Sequence, residues 1–118
     1  MPRGQNIGKL KDYYLKLNIT YFGGVLPDNI VISMSSKLKK KAGISYFKLF
    51  QTGDIVPFEI SLSERYLKLY PFDIFGVLLH EMIHIKLKNS LHNDLFLKEI
   101  ERMKSEYGVD VPIVGKIC

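Results

Sequence analysis

Cysteine is almost missing from this sequence: of its 118 residues only Cys118, the last, is one. A lone terminal thiol closes no internal disulfide and makes no metal site by itself, so neither a disulfide framework nor a thiolate cluster is expected to hold the chain. Long apolar runs are missing too. None approaches the roughly 18–20 residues that a membrane span needs. The opening Met1-Pro2-Arg3-Gly4-Gln5-Asn6 lacks the apolar stretch and small-residue cleavage site of a secretory leader. The expectation is a protein of the reducing cytoplasm with no membrane partner. Acid is scarcer than base, 12 residues against 17, and the formal charge is +5. That balance makes nucleic acid a candidate partner, although many basic proteins bind none. Histidine is rare as well, with three in the whole chain.

What is present fits a folded domain. A hydrophobic fraction of 47% and a charged fraction of 25% match globular usage. The length suits one core, and no internal repeat or low-complexity stretch interrupts it. Residues 1–118 are therefore read as a single domain.

The apolar period predicts an opening helix from about Ile7 to Tyr21, with Leu10, Tyr13, Tyr14, Leu17 and Tyr21 on one face. Gly23-Gly24 and Pro27 end it. Three strands are predicted next: Ile30 to Met34, Gly43 to Phe50 and Phe58 to Leu62, with Thr52-Gly53-Asp54 as a turn between the last two. Ser63 to Tyr70 reads as a linking segment. A helix from about Phe72 to Lys88 follows, started by Pro71, and Asn89-Ser90 breaks it. Ser90 or Asn93 caps a last helix that reaches about Tyr107 and stops at Gly108, leaving a tail with Pro112 and Gly115. Helix, three strands and two helices describe an α+β domain, with helices on one side of a small antiparallel or mixed sheet.

Inside the second predicted helix, His80-Glu81-Met82-Ile83-His84 carries the pattern H-E-x-x-H. Residues four apart share a helix face, so the two imidazoles can converge on one zinc ion. Glu81 is turned about 100° around the axis from His80, which suits a general base beside the metal rather than a ligand on it. A catalytic zinc also needs a third protein ligand and an open position for water. His92 is favoured for that place, and Asp94, Glu99 and Glu101 compete with it.

These residues resemble the SprT-like metallopeptidase domain, the family that includes the DNA–protein crosslink protease Spartan. The resemblance runs from about Leu10 to Met103. Leu17 to Pro27, with its Gly24-Val25-Leu26-Pro27 turn, is similar to the family's opening segment. Ile30 to Ser33, Ala42-Gly43 and Ile60-Ser61-Leu62-Ser63 fall where the family has strands. Val77 to His84 is similar to its active-site helix, and His92-Asn93-Asp94-Leu95-Phe96 keeps its third histidine and the phenylalanine four residues on. Leu91 and Asn93 stand where the family usually has glycines. The resemblance implies a zincin-like fold, Zn2+ held by His80, His84 and His92, Glu81 as catalytic base, and a protein or peptide substrate, with DNA-bound or DNA-crosslinked proteins among the candidates. Two rival functions remain beside it: a small H-E-x-x-H peptidase that cleaves one regulatory partner, and a non-catalytic, zinc-stabilised module that docks on nucleic acid.

Other residues invite weaker readings. Gly76 allows either close packing or room beside His80. Lys37, Lys39, Lys40 and Lys41 form the densest basic run, either a phosphate track or a solvated loop. Tyr46, Phe47 and Phe50 belong to a core or line a groove. If Gly43 to Phe50 is a sheet edge, it offers strand addition to a peptide. Tyr66, Tyr70 and Tyr107 are candidates to stabilise an oxyanion.

Overall fold

The computed structural model describes residues 3–112, with side chains from residue 8 onward. The tail's Gly115 and Cys118, and the opening Met1-Pro2, lie outside the described residues. Helix α1 (Arg3–Phe22) starts before the apolar period does and buries Tyr14 and Leu17. Buried Asn18, one turn before the end of α1, ties the following turn back to the helix. Its side chain donates to the Leu26 carbonyl at 2.9 Å and accepts from the Leu26 amide at 3.1 Å. Gly23 and Gly24, with φ of 60° and 76°, take the left-handed conformations of the turn between these partners. Tyr14 Oη donates to the Pro27 carbonyl at 2.7 Å, so the helix itself fixes where the next strand begins.

Strands β1 (Val31–Ser35), β2 (Gly43–Leu49) and β3 (Ile55–Ser63) form a mixed sheet in the order β1-β3-β2. β1 runs parallel to β3, and β2 antiparallel to it, so β2 is an edge strand. The hairpin between them turns at Gly53, whose φ is 91°. β3 is longer than the predicted Phe58 to Leu62. Pro57 argues against a strand there, because it has no N–H to offer the ladder. It is tolerated because β1 pairs only from Glu59 onward and β3 itself is bulged beside it, Phe58 being the extra residue between the pairs Tyr46–Glu59 and Phe47–Pro57.

The predicted link from Ser63 to Tyr70 is in fact a short helix, α2 (Glu64–Leu69), capped by Ser63 Oγ accepting from the Tyr66 amide. A 3-10 turn at Pro71–Asp73 leads into α3 (Ile74–Leu87). The predicted helix start at Phe72 is thus a tighter turn. From Val77 to Ile85 every residue of α3 is buried, which a helix apolar on all sides requires. One sheet face, with Ile32, Ile60 and Leu62, shares a core with Val77, Leu78 and Leu79 of α3. Lys88 closes α3 in the left-handed region, φ 58°, and Asn93 Oδ1 caps α4 (Asp94–Tyr107) by accepting from the Phe96 amide at 3.2 Å. Asn93, not Ser90, is therefore the cap. Gly108 ends α4 as expected, with φ 68°.

Candidate metal centre

His80 and His84 stand one turn apart on buried α3, and His92 is exposed on the connection just before α4. The chain reverses quickly after His84 because Lys88 takes a left-handed conformation and the Asn89 amide bonds back to the His84 carbonyl. That reversal returns His92 to the helix it left. His80 Nε2 lies 3.1 Å from His92 Nε2 and 3.2 Å from His84 Nε2. One nitrogen from each ring falls within 4.8 Å of the others.

The opposite ring nitrogens settle the protonation pattern. His80 Nδ1 is 2.6 Å from the Pro112 carbonyl and His84 Nδ1 is 3.0 Å from the Asn89 carbonyl. A carbonyl oxygen only accepts, so both Nδ1 atoms carry the proton and both Nε2 atoms present lone pairs. Burial, with His84 and His92 adding to it, pushes His80 down to about 3, so its ring is neutral in ordinary buffers. Lone pairs aimed at one another repel unless a cation lies between them. Two nitrogens on a tetrahedral zinc stand about 3.3–3.4 Å apart, close to the separations found here. The donor set and its spacing therefore fit a zinc-type ion, and the carbonyl partners are the outer contacts that usually orient such ligands.

Phe96 closes the site from below. Its ring stacks on His84 at 4.7 Å between centroids and meets His80 at 4.9 Å and His92 at 5.0 Å. Glu81 reaches into the space between α3 and β2. Ser45 Oγ donates to Glu81 Oε1 at 2.7 Å, while Oε2 is buried with no partner among the described residues. Burial pushes this carboxyl up to about 8, against the Ser45 hydrogen bond and the positive charge of Lys41.

The competing carboxylates lie elsewhere. Glu99 is buried but ion-paired with Lys86 and Arg102, and Arg102 Nη2 donates to the Tyr21 carbonyl at 2.9 Å. Glu99 thus ties α4 to α3 and α1. Asp94 and Glu101 are exposed on α4, outside the histidine cluster. The tyrosines also have other partners: Tyr66 Oη donates to Asp73 at 2.7 Å against the Tyr70 ring, and Tyr107 packs edge-on against Tyr21. Phe47 packs on the core, whereas Tyr46 and Phe50 are exposed. Gly76 serves close packing, though against the tail and not the sheet. A Cβ there would come within 3.1 Å of Pro112 Cδ, the residue whose carbonyl holds His80.

Sequence reasoning missed two contributors. Pro112 acts through a backbone carbonyl, which leaves no mark on residue type. Ser45 could have been found from the alternation of Gly43, Ser45 and Phe47 on the inward face of β2, where a small polar residue among larger ones wants a partner.

Among solved structures, the fold is similar to the crystal structure of the metallopeptidase zymogen of Pyrococcus abyssi abylysin. The TM-score is 0.50 and the identity 20%, over 86% of this chain and 99% of that one. The likeness bears out the α+β, zincin-like arrangement. No curated protein matches the chain. The SprT-like family model matches residues 10–113, from the first apolar turn of α1 past all three histidines and the tail carbonyl that orients one of them. Most of the molecule, and not the motif alone, carries that match: the chain belongs to the SprT-like family.

Proposed function

We propose that this protein is a zinc-dependent metallopeptidase that hydrolyses peptide bonds, with His80, His84 and His92 as the metal ligands and Glu81 as the general base. One observation carries the proposal: three imidazole nitrogens converge while two of the rings spend their N–H groups on backbone carbonyls. Bound there, zinc would supply Lewis acidity, polarising the scissile carbonyl and making a water easier to deprotonate. Glu81 takes the proton of the attacking water and passes it to the leaving amine. Phe96 walls the imidazoles off from water on one side and fixes their ring planes.

The substrate is a protein or peptide in extended form. Edge strand β2 passes directly over Glu81, and strand addition there would carry a backbone past the base. Lys37, Lys39 and Lys40 are exposed on the connection into β2, which supports action on DNA-bound or DNA-crosslinked proteins. No described helix is long and apolar enough to cross a membrane, and we place the activity in the cytoplasm.

The test is degradation of a DNA-binding protein by zinc-loaded chain, with and without DNA, followed by mass spectrometry of new termini. Cleavage that stops with a chelator and returns with zinc is expected, and DNA should accelerate it. Absence of zinc-dependent cleavage under both conditions contradicts the peptidase reading; cleavage indifferent to DNA removes only the DNA component.

A further inference from the structure

We propose that Ser45 is a positioning residue for the reaction: it fixes one oxygen of Glu81 so that the other is left to handle the proton. The inference rests on the peptidase reading above and deepens it.

Ser45 sits on the inward face of β2, paired with Ile60 of the central strand, and is buried. Its hydroxyl lies 2.7 Å from Glu81 Oε1 and 3.1 Å from the Glu81 carbonyl, so side chain and backbone of the same residue are engaged from one point. Gly43, two residues earlier on the same face, makes the room. A Cβ there would meet Glu81 Cγ and Val77 Cγ1 at 3.2 Å each. Strand β2 therefore presents the carboxylate arm with a gap and then a hydrogen-bond donor.

A purely structural carboxylate is expected to have both oxygens satisfied, because an orphaned buried acceptor is costly. Glu81 departs from that expectation: Oε1 is held by Ser45, and Oε2 is buried with no hydrogen-bond partner among the described residues. A carboxylate pinned at Oε1 cannot rotate freely about its last bond, so Oε2 keeps a fixed aim. In addition, β2 is the exposed edge, so the strand that aims the base is the one an extended substrate would join.

The experiment compares zinc-loaded wild type, Ser45→Ala, Ser45→Thr and Glu81→Gln on fluorogenic casein, with zinc content measured for each. Ser45→Ala should lower kcat about tenfold, with KM and zinc content little changed, since base alignment and not substrate or metal binding is lost. Ser45→Thr, which keeps the hydroxyl, should recover most of kcat. Wild-type kcat in Ser45→Ala, or loss of its zinc, would overturn the inference. A readout independent of turnover uses metal-free chain carrying 13Cδ-glutamate, in which the Glu81 signal is the one absent from Glu81→Gln. That signal should move in Ser45→Ala and return in Ser45→Thr; a signal unmoved by Ser45→Ala overturns the inference. Cleavage lost in Glu81→Gln but intact in Ser45→Ala sinks this inference alone, whereas equal cleavage by wild type and Glu81→Gln sinks the peptidase reading.

Discussion

Phe96 touches all three imidazoles and has no exposed surface, so it belongs at once to the core and to the histidine cluster. Phe96→Ala should cost about 3–5 kcal/mol of stability, typical of an emptied aromatic site. It should also weaken zinc binding by freeing the ring planes. Chemical denaturation of the metal-free chain and a zinc titration measure the two effects, and a variant matching wild type in both would remove Phe96 from the site. Glu99 makes a different forecast. Burial alone would raise its pKa, but the hydrogen bonds and charges of Arg102 and Lys86 outweigh burial and hold it below the usual carboxylate range. A carboxyl depressed in the folded state stabilises the fold above its unfolded pKa, and that contribution is lost as pH falls through the folded value. Wild type should therefore lose more stability on acidification below about pH 4.5 than Glu99→Gln does, while Glu99→Gln keeps its zinc. Equal acid sensitivity in melts from neutral to pH 3 would contradict this. At this scale the sequence was informative wherever side-chain spacing carried the signal. His80 and His84 were legible because i, i+4 spacing has one geometric meaning on a helix, His92 because a zinc site needs a third ligand, and Phe96 from the apolar period of the last helix. Ser45 was not, since a serine in a strand has many uses.

Helix α3 holds two of the three converging histidines, but the segments flanking it finish the site. The reversal at Lys88-Asn89 supplies a carbonyl to His84 and returns His92, while the tail crosses Gly76 to bring the Pro112 carbonyl to His80. Gly76→Val should push Pro112 away, because even a Cβ would stand 3.1 Å from its ring. Zinc affinity is then expected to fall by roughly 10–100-fold, the usual effect of losing an outer partner of a ligating histidine. Undiminished affinity in a competition assay with a chelator would show that the tail carbonyl does not matter to the ligand. The helices and strands themselves were mostly legible from apolar period and breakers. Helix α2 was not, because six residues are too few to display a helical period, and its only signal was the Ser63 cap. β3 was read from Phe58 because the alternation is clear only from there, and the bulge at Phe58 interrupts the period between the two parts of the strand.

The molecule as a whole is basic, with a formal charge of +5, and its densest lysine run leads into the edge strand beside Glu81. If that run tracks phosphates, DNA affinity should fall steeply between low and physiological salt as the gain from counterion release shrinks. Binding indifferent to salt, or none at low salt, would take nucleic acid off the list of partners. Such a surface has no sequence signature beyond charge, which is why partner identity was far less legible than the metal-binding motif. The central claim, that Glu81 does chemistry beside a three-histidine zinc, is most directly tested by one comparison: turnover by wild type and Glu81→Gln, each loaded with zinc and each assayed for bound metal. Glu81→Gln should retain about one zinc per chain and lose on the order of 10²–10⁴ in rate, the usual contribution of a general base. A zinc-bound Glu81→Gln that cleaves as fast as wild type would contradict the account.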